Sequence, residues 1–239
     1  MRVRGGAPVA GAAVGIAMLD TRFPRIPGDL GNALTWPFPV LYRVVRGARP
    51  ELAVSGDTEQ LLAPFIEAGR GLVVDGAQGI VTSCGFLVRF QDRLRDALGV
   101  PVATSSLMQV PVVQALLPAG KRVGILTISA QSLGPGDLAA AGCAPDTPIA
   151  GTDGGREFSR VILANEEELD VDLARADLVA AGRALIARHP EVGAIVLECT
   201  NMVPYAADIR AACGVPVYSV ASLVTWFQSG LDPARYPVS

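Results

Sequence analysis

Apolar runs of strand length recur along this chain, separated by segments with helical periodicity. "VGIAML" at residues 14–19 and "VGILTI" at residues 123–128 are rich in β-branched residues and carry no charge. Continuous apolar runs of this kind are typical of strands buried on both faces of a parallel sheet. Segments with helical periodicity, one from Asp57 and one through residues 164–189, each lead into a further apolar run. This alternation of strand and helix predicts βαβ units with helices on both faces of the sheet.

The apolar runs are also arranged as two copies of one pattern. "IVTSC" at residues 80–84 matches "IVLEC" at residues 195–199, and the tetrapeptide "GVPV" follows each of them, its glycine fifteen residues after the cysteine. Because the order of the matches is the same in both halves and their spacing is nearly equal, the chain is predicted to contain a duplicated unit of about 110 residues. "PAGK" marks the passage from one copy to the next.

The duplication predicts an α/β fold of two pseudo-symmetric domains, each a parallel four-stranded sheet flanked by helices, with the active-site cleft between them. The first domain is expected to span residues 1–107, with a C-terminal return over residues 220–239, and the second residues 108–219. Residues 21–40 are rich in Gly and Pro and have no clear period, which predicts a long ordered loop. We expect this loop to decide the size of the cleft and the charge of its ligand.

Composition narrows the classes of function. The formal net charge is -3, with 20 basic and 23 acidic residues, and no basic stripe is available for nucleic acid. No uninterrupted apolar run reaches the length of a membrane span. The basic and then apolar N-terminus superficially imitates a signal peptide, but the end of that stretch belongs to the repeat, so we expect a cytoplasmic protein.

The cysteines have the pattern of reduced thiols rather than of a disulfide framework or a metal site. The chain has four cysteines without framework spacing, no CxxC pair and a single histidine, His189. We therefore expect no metal ion. Cys143 and Cys213 have no counterpart in the other half and are interpreted as structural.

Cys84 and Cys199 stand at equivalent strand ends, one in each half. Ligands of open parallel sheets bind beyond the carboxyl ends of the strands, so two facing halves would bring these thiols to opposite sides of one molecule. A single cysteine at a strand end is more often a packing residue, but two at equivalent repeat positions favour catalysis. Such a pair suits proton transfer at a carbon centre, with a thiolate as base on one face and a thiol as acid on the other. Backbone amides near Gly85, Thr200 and Asn201 could bind the substrate carboxylate.

The motifs "TSCGF" and "ECTN", together with "VGIAMLDT" and the paired "GVPV", resemble the aspartate/glutamate racemase superfamily. This superfamily includes amino acid racemases, hydantoin racemases, maleate isomerases and arylmalonate decarboxylases. The resemblance implies a cofactor-independent enzyme with a thiol pair in the cleft, and its two catalytic cysteines correspond to Cys84 and Cys199. It also implies that Asp20, after the first strand, orients the first thiol or its proton.

The chain differs from some members of the superfamily at the motifs themselves. Glutamate racemases typically have histidine where Asn201 stands and asparagine where Gly85 stands, so glutamate is disfavoured as the substrate. Arylmalonate decarboxylases lack the first cysteine, so Cys84 argues against decarboxylation. Maleate isomerases and hydantoin racemases keep both cysteines and stay open as alternatives.

The sequence thus predicts an amino acid racemase or epimerase that acts on a small carboxylate by two-base proton transfer. The catalytic residues are predicted to be Cys84, Cys199 and Asp20. Residues expected to bind substrate are Thr21, Thr82, Gly85, Thr127, Thr200 and Asn201. The alternatives are a maleate-type cis-trans isomerase, a hydantoin racemase, and a small-molecule binding protein on the same scaffold. No nucleic acid or membrane partner is expected, and a homodimer is the commonest assembly for such enzymes.

Three further residues are left with open roles. Alternation along the strand would point Glu198 away from the neighbouring thiol, and a solvated or capping role is as compatible with the sequence as a catalytic one. Arg22 and Arg25 in the long loop could pair with a second substrate carboxylate.

Overall fold

The computed structural model of the protein describes residues 5–54 and 57–237, which form two four-stranded parallel sheets flanked by helices. The strands are β1 Val14–Leu19, β2 Val40–Val45, β3 Gly79–Thr82, β4 Val102–Ala103, β5 Arg122–Thr127, β6 Ile149–Gly151, β7 Val192–Leu197 and β8 Val217–Tyr218. The α-helices are α1 Pro50–Val54, α2 Leu62–Asp75, α3 Gln91–Leu98, α4 Val110–Leu116, α5 Pro135–Ala140, α6 Phe158–Ala164, α7 Val171–Arg188, α8 Ala206–Cys213 and α9 Val220–Leu231. The predicted fold class is confirmed.

The two sheets have the same strand order, which is what a duplicated unit requires. The first runs β2-β1-β3-β4 and the second β6-β5-β7-β8, with every neighbouring pair parallel. The central strands β1, β3, β5 and β7 are almost wholly buried, as their continuous apolar character predicts. The carboxyl ends of β3 and β7 are therefore equivalent positions.

The repeated "GVPV" has a clear conformational cause at its glycine. Gly99 ends α3 with φ 66° and Gly214 ends α8 with φ 72°, both in the left-handed region. Glycine adopts this conformation without the steric penalty of a Cβ, and it is the usual residue just past a helix C-terminus. Each glycine thus ends its helix and returns the chain to the last strand of its sheet.

The two periodic segments form helices that begin later than the patterns suggest. The first starts with a 3₁₀ turn at Thr58–Leu61 before α2, and the side chain of Asp57 makes no capping hydrogen bond there. In the second half, Asp170 caps α7 by accepting from the N–H groups of Asp172 and Leu173. The acidic run that precedes Asp170 consequently lies outside the helix.

The C-terminal helix α9 packs on the first sheet rather than the second. Its residues Val220, Leu223 and Val224 share a buried apolar cluster with Val14 and Ile16 of β1. The chain thus returns to the first half after completing the second, although the exact domain boundaries at residues 107 and 219 stay a prediction. Within the described residues no helix is long and apolar enough to cross a lipid bilayer.

Helix α7 offers a matched test of the second core. Leu185 is fully buried and packs against Gly124 of β5, whereas Leu173 on the same helix is 45% exposed. We expect Leu185→Ala to lower the free energy of unfolding by about 2–5 kcal/mol, because it removes buried methyl groups and leaves a cavity. Leu173→Ala should lower it by less than about 1 kcal/mol. Urea denaturation measures both, and equal losses would contradict the assigned packing of α7.

Candidate active site

Each predicted catalytic cysteine lies directly beyond a central strand, at the start of a 3₁₀ helix. Cys84 precedes Gly85–Phe90 and Cys199 precedes Thr200–Tyr205. Both are buried, and both have extended backbone before the chain turns into the helix. The repeat therefore gives the two thiols equivalent local structures in the two halves.

The two thiols line one narrow pocket between the halves, with a cavity volume of about 20 Å³. Its wall is largely apolar, and its polar side chains are few. The lining residues are Leu19, Phe23, Arg25, Pro50, Val54, Ser83, Cys84, Gly85, Phe86, Ile128, Ile162, Leu163, Glu198, Cys199 and Asn201. A small apolar pocket with a few convergent polar groups is the usual form of a site for a small ligand.

The Cys84 sulfur lies where an anion can be stabilised. The backbone N–H groups of Phe86 and Leu87 face it and favour the thiolate. Burial, together with the charge of Glu198, nevertheless raises the pKa of the Cys84 thiol to about 12. The protonated thiol is thus the favoured form, although backbone donors for the thiolate are in place.

The Cys199 thiol has a different partner. Its sulfur donates to Oδ1 of Asn201 at 3.5 Å, and the backbone N–H of Asn201 faces the sulfur. Burial raises the pKa of Cys199 well above its ordinary value, and Glu198 and Cys84 raise it further. The hydrogen bond to Asn201 favours the protonated thiol at this position.

Glu198 is a buried carboxylic acid that lines the same pocket as the two thiols. It is 1% exposed, and Thr127 Oγ1 donates to its Oε2 over 2.8 Å. Burial raises the pKa of Glu198 to about 7, against the opposing effects of Thr127 and of the Ile128 backbone N–H. The solvated role weighed for Glu198 is therefore wrong. Because β7 ends at Leu197, strand alternation no longer governs the direction of the next side chain.

The long loop between β1 and β2 contributes a charged network to the pocket. Arg25 pairs with Asp29 over 2.8 Å and also donates to Thr21 Oγ1. The second carboxylate oxygen of Asp29 accepts from Nδ2 of Asn201 over 2.6 Å. This network links the first-half loop to the residue that accepts from the Cys199 thiol. Arg22, by contrast, is exposed and pairs with Glu167.

Asp20 does not line the thiol pocket. Its carboxylate accepts from Arg46 Nη1 at 3.2 Å and from the N–H of Gly47 at 3.0 Å. It contributes instead to a neighbouring polar depression beside Arg22 and Arg49. The structure thus leaves Asp20 apart from both cysteines, and a catalytic role for it stays a prediction.

The predicted substrate-binding residues divide into two groups. Gly85 and Asn201 line the pocket. The four threonines Thr21, Thr82, Thr127 and Thr200 do not line it, because their hydroxyls bond within the protein. Thr200, for example, donates to the backbone carbonyl of Ser83, across the boundary between the two halves. Substrate contacts by these threonines stay predictions.

Sequence reasoning missed Asp29 and Phe23 and left Glu198 undecided. Asp29 stands in "PGDLGN", which has the composition of a surface turn, yet it is 2% exposed. No local pattern distinguishes it from a turn residue. Glu198 did carry a signal, because an acidic residue that follows directly on a fully apolar run enters the same buried environment.

The comparisons with known proteins agree with this geometry. The family model described as Asp/Glu/Hydantoin racemase matches residues 106–227, about half of the chain. The chain belongs to this family. The predicted superfamily is thereby confirmed.

Curated relatives within the family carry a different kind of name. A dimethylsulfoniopropionate lyase of Durusdinium sp. clade D is 32% identical over an alignment of 234 residues that covers 94% of this chain and 77% of that protein. Dimethylsulfoniopropionate lyase 7 of Emiliania huxleyi (strain CCMP1516) is 30% identical over 239 residues, with 95% and 70% covered. An enzyme of this superfamily is thus confirmed, but the predicted isomerase class is not.

Solved structures share the fold at low sequence identity. A variant of arylmalonate decarboxylase in a sulfate-associated form has a TM-score of 0.62 and 18% identity, covering 95% of this chain and 96% of that one. Glutamate racemase from Bacillus anthracis has a TM-score of 0.57 and 14% identity, with 92% and 82% covered. Allantoin racemase from Pseudomonas fluorescens has a TM-score of 0.54 and 14% identity, with 95% and 100% covered.

The contact between Gly85 and Glu198 generates a test of this geometry. A Cβ at Gly85 would overlap with Glu198 Oε1 and lie 2.5 Å from its backbone oxygen. We expect Gly85→Ala to lower the free energy of unfolding by about 1–3 kcal/mol, because the backbone oxygen cannot move aside. Gly136→Ala in α5, where a Cβ meets nothing within 4 Å, should be neutral or stabilising by up to about 1 kcal/mol. Urea denaturation compares the two, and a neutral Gly85→Ala would rule out the close approach.

Proposed function

We propose that this protein is a dimethylsulfoniopropionate lyase, which cleaves its substrate by β-elimination to acrylate and dimethyl sulfide. The observation that carries the proposal is the 30–32% identity to two lyases of that name over nearly the whole chain. The thiol pair in a small apolar pocket supports it. The racemases and the decarboxylase share the fold at 14–18% identity, and this similarity supports the fold but not a particular reaction.

The elimination begins with the same step as racemisation. A base removes a proton from the carbon next to the carboxylate. A thiolate that lines the pocket is suited to this step. The electron pair left on that carbon then forms the double bond of acrylate. The carbon–sulfur bond at the next carbon breaks, and its electron pair leaves on neutral dimethyl sulfide. The abstracted proton stays on the base and later passes to solvent, so the reaction needs no oxidant or second substrate.

In this proposal Cys84 is the base. The N–H groups of Phe86 and Leu87 that face its sulfur stabilise the thiolate, whereas the Cys199 thiol donates to Asn201. Cys199 stays protonated on the other side of the substrate. There its thiol contacts the substrate opposite the base and completes the wall of the pocket.

The remaining lining fits a small zwitterion. Arg25, which is 17% exposed and opens onto the pocket, is placed to receive the substrate carboxylate, since guanidinium pairs well with carboxylate. The S-methyl groups would lie against the apolar wall formed by Val54, Ile128 and Ile162. Glu198 supplies a negative charge that favours the cationic sulfonium.

A second candidate is an amino acid racemase or epimerase, the function predicted from the sequence. One observation favours it: thiols from both halves line a single pocket, as two-base proton transfer requires. Hydantoin racemisation and maleate-type isomerisation would use the same two cysteines, and the experiment below tests them together with amino acid racemisation. Racemisation conserves the composition of the substrate, whereas elimination releases two products.

The test uses purified, reduced protein with dimethylsulfoniopropionate. We expect dimethyl sulfide in the headspace by gas chromatography and the vinyl protons of acrylate by NMR, in equal amounts. Cys84→Ser should lower kcat by about 10²- to 10⁴-fold, because the serine hydroxyl is a far weaker acid than the thiol and does not ionise to supply the base. Cys199→Ser should also lower the rate, since it alters the opposite wall of the pocket.

Cys213→Ser is the matched control, because Cys213 lies on α8 outside the pocket and should leave the rate unchanged. The same samples are tested in deuterium oxide with amino acids, hydantoins and maleate. Exchange of an α-proton without release of dimethyl sulfide would overturn the lyase proposal in favour of the racemase.

A further inference from the structure

Glu198 carries an ionisable group that the fold does not require to be acidic. Its carboxyl group is buried and receives one side-chain hydrogen bond, from Thr127. A glutamine would fill the same space and accept the same bond. Burying an ionisable acid lowers the stability of the fold, because burial disfavours the ionised form. A buried acid in a pocket therefore suggests that its charge has a function.

The charged groups around Glu198 do not neutralise it. Arg89, from the 3₁₀ helix after Cys84, pairs with Asp137 of α5 over 2.8 Å. Arg25, from the long loop, pairs with Asp29. In the described part of the chain neither arginine forms an ion pair with Glu198. The negative charge of an ionised Glu198 is therefore not neutralised by either of them.

The carboxyl group of Glu198 lies against the residue that follows the first thiol. It reaches from the end of β7 across to the first half, where its Oε1 packs against the backbone of Gly85. Gly85 follows Cys84 directly, and the absence of a side chain there is what lets the carboxyl group approach. Glu198 and Cys84 also line the same narrow pocket, so their ionisable groups share one buried space.

We propose that Glu198 shares a single proton with the Cys84 thiol and thereby acts as a positioning residue for the proton of the catalytic base. In the resting pocket the proton is on sulfur and Glu198 is ionised. Transfer of that proton to Glu198 creates the thiolate without changing the total charge. The thiolate then takes the substrate proton, and Glu198 releases its own proton to solvent. The pocket thus never holds two negative charges beside an anionic substrate.

Proton sharing changes how the thiolate population depends on pH. Below a pH of about 7, where Glu198 is protonated, the population rises tenfold per pH unit. Above that value Glu198 is free to accept the thiol proton, and the population becomes constant. A glutamine cannot accept a proton, so the thiolate of Glu198→Gln forms only by losing a proton to solvent. Its population should keep rising through pH 9, because burial keeps the pKa of Cys84 raised.

Alkylation by iodoacetamide reports this population without any substrate. After reaction for fixed times between about pH 5.5 and 9.5, a range that brackets the titration of Glu198, tryptic digestion separates Cys84 on residues 71–89 from Cys199 on residues 189–210. We expect the rate at Cys84 to level off near pH 7 in the native protein. In Glu198→Gln it should be about tenfold faster than native at pH 8 and still rising at pH 9.

Two further variants keep the test decisive. Thr127→Val removes the donor to Glu198, which raises the pKa of Glu198, so the levelling should move upward by about one pH unit. This variant serves if Glu198→Gln fails to fold. Glu59→Gln, the same change at an exposed residue paired with Arg93, should keep the native profile. Identical profiles for the native protein and Glu198→Gln, or a levelling confined to Cys199, would overturn the proposal.

The inference rests on the proposed function only for the identity of the substrate. Measuring dimethyl sulfide release by the same variants over the same pH range separates the two. A levelling of alkylation without any dimethyl sulfide would uphold proton sharing and refute the lyase. Release of dimethyl sulfide with an alkylation rate that rises tenfold per unit through pH 9 in the native protein would do the reverse.

Discussion

The hydrogen bonds that join the two strand edges are the constraint on which the site depends. Ser106, after the first sheet, donates to the backbone carbonyls of Leu197 and Glu198 at the end of β7. Thr200, after the second sheet, donates to the carbonyl of Ser83 at the end of β3. These bonds are buried and reciprocal, so each half fixes the backbone beside the other half's cysteine. The two thiols face one pocket because these bonds fix the backbone of the two strand ends relative to each other.

Hydrogen bonds of this kind also give the small hydroxyls near the cysteines a structural role beside the predicted one. At strand ends next to a cleft, threonine and serine are reasonable substrate ligands, and the sequence offers nothing against that interpretation. In the structure Thr82 and Thr200 satisfy backbone carbonyls that the sheets leave unpaired. A buried carbonyl without a hydrogen-bond donor destabilises the fold, so these hydroxyls have a structural role that a single sequence does not reveal. The partner of Thr82 is the carbonyl of Thr104 in the same half, whereas the partner of Thr200 is the carbonyl of Ser83 in the other half.

The fold, by contrast, was predictable because its signals are local and repeated. The apolar runs predicted buried parallel strands, and the two copies of one pattern predicted two sheets of the same strand order. The cysteines could be placed because they directly follow those strands. Asp29 could not be placed, since its burial results from loop residues folding over the cleft and from its bond to Asn201. Glu198 falls between these cases: its burial follows from the strand, but its direction depends on where the strand ends.

The charge of the pocket connects the fold to the choice between elimination and racemisation. Racemisation requires an acid on the face opposite the base, whereas elimination of a sulfonium requires none, because the leaving group departs neutral. A pocket with one negative charge, shared between Glu198 and a thiol, favours a substrate that carries a positive charge next to the reacting carbon. An amino acid also carries a positive charge there, so attraction alone does not separate the two functions. What separates them is the bond at the next carbon, since the same thiolate eliminates where that bond leads to a good leaving group and exchanges a proton where it does not.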